Sequence, residues 1–535
     1  MSYLKQHGTR LVPQWLPLPG QTKNSAGGHA WAVDMWMRLR RFLILGSEGG
    51  SYYASEWTLT RENAQAVEQC IREDGLRAVA VIERISAEGR APKNDPALYA
   101  LAMAAGVGDV DTRRAALDTL PRVARTGTHL FQFALFVEGF RGWGRSLRRA
   151  VGRWYAAQPV EALAYQAVKY RRRAGVTHRD LLRLSHPGRN LGAGNPELDV
   201  SDEHTRLFEW IVRGGGTEGL PALVEGFVRA QKAATPREAA ALVREHGLPR
   251  EALQPEHLTS PEVWEALLED MPMTALIRNL ATMTRVGVLA PGSDGTATAV
   301  AQLANVQRIR RARVHPIAVL AAHRTYASGH GARGRGEWAP VREIVDALDA
   351  AFYSAFDNVE PTGKRMLLAL DVSGSMTWGR VAGVSGLTPR DASAALALVT
   401  AATEERYEIV GFTTGLTPLA ISPRQRLDDA VQTVSDLSFG GTDCALPMRY
   451  ARKRKRDIDT FVIYTDSETW YGKTHPAQAL RDYRDASDID ARLVVVGMVS
   501  NGFSIADPAD PGMLDVVGFD TATPQLISDF ARGAL

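Results

Sequence analysis

Two cysteines in 535 residues, Cys70 and Cys444, are too few for a disulfide framework or a cysteine-based zinc site. A reducing, cytoplasmic setting is the corresponding expectation. No apolar run approaches the roughly 20 residues of a membrane-spanning helix, and the longest, such as Leu493 to Val496, are strand-sized. No membrane partner is therefore expected. The N-terminal stretch, with Gln6, His7, Gln14 and interspersed prolines, lacks the charged-then-apolar layout of a secretory signal. A Gly-x-x-x-x-Gly-Lys-Ser/Thr loop is absent too, which removes the phosphate-loop nucleotide hydrolases.

What remains is ordinary globular material, 45% apolar and 23% charged, long enough for two or three domains. The net charge of +3 conceals an asymmetry. Residues 361–535 carry 18 Lys+Arg against 22 Asp+Glu, which leaves +7 for residues 1–360. The excess is local: between Arg141 and Arg189 there are 12 basic residues and two acids, Glu161 and Asp180.

Residues 1–360 read as successive helices. Apolar positions recur at three and four spacing, as in Ala64, Val67, Ile71 and Leu76, Val79, Ile82, punctuated by Asn-Asp-Pro at 94–96 and Gly-Leu-Pro at 219–221. Short amphipathic helices over hundreds of residues imply stacked pairs of the HEAT or armadillo type. From 361 the rhythm changes. Strands at 366–371, 407–412, 460–465, 492–498 and 515–519 alternate with helices at about 389–404, 424–436, 444–455, 476–486 and 523–532, the pattern of a doubly wound α/β domain. Pro361-Thr-Gly-Lys364 is the expected junction.

The first of these strands runs Arg365-Met-Leu-Leu-Ala-Leu-Asp371-Val-Ser373-Gly-Ser375, an apolar run ending in one carboxylate and two hydroxyls. Strands buried on both faces belong to parallel sheets, whose ligands bind beyond the carboxyl ends. Two further segments supply comparable groups: Gly440-Gly441-Thr442-Asp443, and Thr460 to Thr465 followed by Asp466. Hard oxygen donors of this kind suit Mg²⁺, although Asp and Ser at a strand end also serve as plain turn formers.

In the basic stretch, Arg141, Arg145, Arg148 and Arg149 share a face if helical, and Lys169, Arg172 and Arg173 repeat that geometry. Such faces cannot be core. Either they are solvated or phosphate supplies the counter-charge that nearby carboxylates do not. Thr177-His-Arg-Asp180 reads as a capping box opening a helix that stops at His186-Pro187. His178 reads as a helix-start residue that touches no ligand, His129 equally as a packed histidine or a contact, Trp143, Trp154 and Trp210 as core, and Arg452 to Arg456 as a helix C-terminus favoured by the macrodipole rather than a nuclear-localisation run.

The D-x-S-x-S, Thr, Asp set resembles the metal-ion-dependent adhesion site of von Willebrand factor A domains. That likeness implies that Ser373, Ser375 and Thr442 touch the ion while Asp371 and Asp466 hold its waters. Lys169-Tyr-Arg-Arg-Arg-Ala-Gly-Val-Thr-His178 through His186 resembles the signature of the TROVE module of the Ro autoantigen family. Arg125-Thr-Gly-Thr-His129, Gly142-Trp-Gly-Arg-Ser-Leu-Arg148, Met271 to Asn279, His315-Pro316 through Gly331, Gly440 to Pro447 and Ser500 to Asp507 are similar to the same family. The resemblance implies a ring of HEAT-like repeats (1–360) closed by a von Willebrand-type domain (361–535), in a monomer. It further implies Y RNA bound on the outer basic surface through Lys169, Arg173 and His186, and single-stranded 3′ ends of misfolded RNA taken into a central hole. An exoribonuclease such as polynucleotide phosphorylase is the implied protein partner. Val176 departs from the family's frequent aromatic, so stacking there is not implied.

A noncatalytic RNA-binding protein with a Mg²⁺ site is thus the favoured reading. Its rivals are a metal-dependent phosphatase or nuclease centred on Asp371 and a protein-binding adhesion module. The first lacks a base beside the ion and the carboxylates of two-metal chemistry. The second leaves the basic face unexplained.

Overall fold

The computed structural model describes residues 11–45, 56–91, 93–173, 175–187, 200–312, 314–331, 336–355, 361–377, 381, 387–423, 425–435, 440–499, 502–517 and 523–534. Among these, 23 α-helices and eleven short strands alternate as the sequence rhythm requires: helices dominate to residue 354, and an α/β domain follows. No described helix is long and apolar enough to cross a membrane.

Local chemistry sets the helix ends. Asp109 accepts from Thr112 N at 2.8 Å and Thr126 from His129 N at 3.3 Å, each satisfying an orphan donor of a first turn. Helices pack on near neighbours in the chain, Asp95–Val107 on Gly127–Arg141, Pro236–His246 on Pro261–Glu269, and Pro316–Ala327 on Arg342–Ser354. Their apolar faces build one core from Trp36 to Val224 and a second from Val168 to Ala355. Trp154 is core, as anticipated. It is 2% exposed, and its indole donates to the Ala124 carbonyl at 2.6 Å.

Strands interrupt the region read as purely helical. β1 (Gln21–Lys23) and β2 (His29–Ala32) form an antiparallel ribbon, and β3 (Arg172–Arg173) pairs with β4 (Val176–Thr177). They are too short to show a period of two, which is why periodicity missed them. The α/β domain holds β5 (Met366–Asp371), β6 (Tyr407–Phe412), β7 (Leu416–Pro418), β8 (Thr460–Thr465), β9 (Arg492–Gly497), β10 (Phe503–Ser504) and β11 (Met513–Val517). The main sheet has the order β11-β9-β8-β5-β6-β7, parallel except for the edge strand β7. The last strand lies at 513–517 rather than 515–519, and residues 518 and 519 fall outside the described set.

Central strands are buried on both faces. Leu368, Leu370, Val462, Tyr464, Val494 and Val496 continue the core of the later helices, whereas Leu367, Ala369, Phe461, Ile463, Leu493 and Val495 face a third core under Leu446–Arg454 and Pro476–Ser487. One apolar body therefore runs from the helical array into the sheet. The N-terminal stretch also joins the α/β domain: β2 pairs with β10, and Arg41, on the helix Met35–Leu45, forms a buried pair with Asp515 at 2.8 Å.

Segments far apart in the helical array meet as well. His315 Nε2 bonds the Arg90 carbonyl at 3.0 Å across 225 positions. Between these units lies a cavity of about 510 Å³ whose polar lining includes Asn94, Arg125, His129, Arg278 and His315.

Candidate metal centre and nucleic-acid interface

Three loops converge beyond the carboxyl ends of β5, β6 and β8. Asp371 closes β5 with no exposed surface, and its side chain is held from both sides: Ser373 N donates to Oδ1 at 2.9 Å and Thr465 Oγ1 to Oδ2 at 2.7 Å. The chain then turns through a 3₁₀ segment, Gly374–Thr377, which brings Ser373 Oγ and Ser375 Oγ to 3.0 Å. At the end of β8, Asp466 accepts from Glu468 N at 3.0 Å and lies against the Ser375 hydroxyl. The loop carrying Thr442 is drawn in by Asp443 N, which donates to the Thr413 carbonyl just past β6, and by Trp470 N and Tyr471 N, which donate to the Thr442 carbonyl.

All five predicted metal-site residues are buried; Asp371, Ser373, Ser375 and Asp466 adjoin one another, and Thr442 lies on the loop held against the one that follows Asp466. Burial pushes the Asp371 carboxyl up from its ordinary range, and the nearby Asp466 adds to this; Asp466 is raised chiefly by its own burial. Thr442 Oγ1 is buried without a hydrogen-bond partner. Two buried carboxyls, two touching serine hydroxyls and an unpartnered threonine hydroxyl fit a divalent cation, which would supply the missing counter-charge and a partner for Thr442. Among the described residues no group of three or more His, Cys, Asp or Glu side chains is placed to hold a metal ion by itself.

Sequence reasoning missed three supports. Thr465 could have been found as the hydroxyl ending the neighbouring strand. Asp443 is legible in the sequence only as part of its loop; burial raises its carboxyl to about 6, and it accepts from Ala445 N at 3.0 Å. Gln14, more than 400 positions away, carried no local signal.

The basic face is built differently from its expected form. Arg141 and Arg145 do not share a helix: Gly127–Arg141 ends at Gly142, where φ is 79° and ψ is −178°, and a new helix spans Arg145–Ala156. Only glycine readily adopts that backbone. Arg145, Arg148 and Arg149 do share the exposed face of the second helix. Nor do Lys169, Arg172 and Arg173 lie on one helix. Lys169 ends Val160–Lys169, and the two arginines sit in the β3–β4 hairpin, whose tight turn takes Gly175 to φ 87°.

Even so, the elements adjoin. The helix Arg145–Ala156 packs on His178–Ser185, and β3 packs on Gly127–Arg141. The capping box forms as expected, with Asp180 N on Thr177 Oγ1 at 3.2 Å and Thr177 N on Asp180 Oδ2 at 3.0 Å. His186 caps that helix, exposed, at φ 46°. His178 instead lies 3% exposed against Phe131, its Nδ1 at 2.9 Å from the Tyr155 hydroxyl, and burial lowers it to about 4. Lys169 Nζ donates to the Tyr165 hydroxyl at 3.0 Å. Among the described residues Arg141, Arg145, Arg148, Arg149, Arg172 and Arg173 have no ion-pair partner, whereas the half-buried Arg153 pairs with Asp118 at 2.7 Å.

A helical-repeat region joined to a von Willebrand-type six-stranded sheet defines the class. Residues 22–211 and 246–325 match the TROVE domain, and residues 365–531 match the Ro60 vWA domain. The chain is 44% identical to the RNA-binding protein RO60 of Deinococcus radiodurans, across 96% of each chain. It is 37% identical to the RNA-binding protein RO60 of Caenorhabditis elegans, covering 96% of this chain and 91% of the worm protein. The crystal structure of the D. radiodurans RO (RSR) protein superposes with a TM-score of 0.70 at 42% identity, over 94% of this chain and all of that one. This chain belongs to the Ro family.

Proposed function

We propose that the protein is a noncatalytic RNA binder that holds a small structured Y RNA on its basic face and the single-stranded 3′ end of a misfolded RNA in the cavity lined by Arg125, His129, Arg278 and His315. The observation that carries this reading is the unpaired arginine face. Arg145, Arg148 and Arg149 crowd the start of a helix that has no acidic residue in its first turn and no side-chain cap. Positive charge there opposes the macrodipole, and phosphate oxygens would relieve both the charge and the open N–H groups. Arg172, Arg173, Lys169 and His186 extend the same footprint. In the cavity, Arg125 and Arg278 supply cationic charge, while burial lowers His129 and His315 to about 4, leaving neutral imidazoles suited to hydrogen bonding. Presentation of such ends to an exoribonuclease such as polynucleotide phosphorylase is the corresponding role.

Mg²⁺ at Ser373, Ser375 and Thr442, with Asp371 and Asp466 behind, belongs to the same reading. When bound, the ion supplies an open coordination position for a water or an acidic ligand. Asp371 is unsuited to nucleophilic or base chemistry, since both of its oxygens already accept hydrogen bonds in a fully buried position. A second reading, protein docking at the metal face, is favoured by the exposure of Trp15, Trp470 and Tyr471 near it.

The test is binding of a hairpin RNA with a single-stranded 3′ tail across a salt series, with the same RNA followed for cleavage in Mg²⁺. Tight, steeply salt-dependent binding without cleavage supports the proposal. Cleavage lost in both Asp371→Ala and Asp466→Ala would replace it with the nuclease reading.

A further inference from the structure

Two of the three loops that converge on the metal centre are not held by the α/β domain alone. Gln14 is fully buried between them. Its Nε2 donates to Asp443 Oδ1 at 3.0 Å, and its Oε1 accepts from Thr469 Oγ1. Asp443 is the immediate neighbour of Thr442, and Thr469 also donates to the Thr442 carbonyl at 3.2 Å. One amide thus joins the Thr442 loop to the loop that follows Asp466.

The surrounding N-terminal stretch repeats the pattern. Asn24 Nδ2 donates to the Thr469 carbonyl at 2.7 Å, Ala26 N donates to Glu468 Oε2 at 3.1 Å, and Gln14 N donates to the Gly472 carbonyl at 3.2 Å. At Gly28 an added Cβ would fall 2.1 Å from the Thr469 carbonyl oxygen, so the two backbones touch. The same stretch continues through β2 into the helix that carries Arg41.

We propose that Gln14 is a positioning residue for the metal site, and that the N-terminal stretch 12–29 forms its outer wall. Of the proposed direct donors, Thr442 is the one on a loop with no support from β5, so its placement depends most on this staple. Supporting partners of metal ligands are commonly worth 10- to 100-fold in affinity. The proposal rests on the metal reading above.

Mg²⁺ titration of the full chain by calorimetry separates the two. No Mg²⁺ heat with the wild type would overturn the metal reading itself. If the wild type binds, Gln14→Met, which keeps the side-chain volume but removes both hydrogen bonds, should bind Mg²⁺ roughly 10- to 100-fold more weakly. Thr469→Val should give a similar loss, and the double variant less than the product of the two, since both cut one staple. Unchanged affinity in a folded Gln14→Met would overturn the proposal. Hydrogen exchange on the wild type needs no variant to fold. Mg²⁺ should increase protection in residues 12–29 as well as in 440–445 and 466–471, and an effect confined to the latter two would overturn it.

Discussion

Thr465 Oγ1 donates to Asp371 Oδ2 at 2.7 Å, tying the carboxyl ends of two neighbouring parallel strands, β8 and β5. Asp371 is thereby aimed before any ion arrives, with its other oxygen taken by Ser373 N. The cost is a buried carboxyl beside Asp466, and this sets the response of the site to substitution.

Asp371→Asn should therefore leave metal-free stability unchanged or higher, because it removes a buried acid raised by burial and by Asp466. It should also abolish Mg²⁺-induced stabilisation. At a hundredfold excess of Mg²⁺ over Kd, the wild type should gain about 2.7 kcal/mol, and paired melting curves with Mg²⁺ and with chelator measure both effects. A full Mg²⁺ shift in the variant would remove Asp371 from the site.

Replacing Lys169 and Arg173 by Ala should weaken structured RNA more than a single-stranded tail. Each lost phosphate contact should lower the slope of log K against log salt by roughly 0.9 on a duplex. Because Arg173 sits on a two-residue strand and Lys169 at a helix end, neither change disturbs a core. Wild-type affinity and slope in the double variant would make this face a merely solvated one.

Gly142→Ala should destabilise the protein by about 1–3 kcal/mol. An added Cβ meets no atom within 4 Å, so the whole cost is the backbone conformation, φ 79° and ψ −178°. The same variant should weaken RNA binding if the break between Arg141 and Arg145 sets the angle of the arginine face. Denaturant midpoints and RNA titrations read the two effects separately.

Acid should destabilise the protein through its buried histidines. The folded His178 imidazole is lowered to about 4 from 6.5 by burial. Between those values the unfolded chain takes up a proton that the folded one refuses, so stability is lost as pH falls from 6.5 to 4, by up to on the order of 3 kcal/mol for this group. His178→Gln should flatten the fall in Tm between pH 7 and 5. An identical fall in the variant would assign the acid response elsewhere.

The sequence by itself determined the elements whose causes are local. Apolar runs bounded by Asp371 and Asp466 announced two central strands, since a strand buried on both faces must be apolar at every position. The Thr177–Asp180 capping box was legible because it lies within four residues. That Asp371, Ser373, Ser375 and Asp466 would lie close together was legible because they follow neighbouring parallel strands, β5 and β8. Only the tertiary structure decided what depended on distant partners or on a single backbone angle. Gly142 broke a face that spacing joined, because glycine's left-handed freedom leaves no mark in a helical period. The β3–β4 hairpin carried Arg172 and Arg173 off a helix that charge spacing had drawn. Gln14 reached the metal loops, and His315 met Arg90, through contacts between segments hundreds of residues apart. No local propensity encodes such pairings; they form where burial of the apolar faces of the helices and of the sheet brings distant segments together.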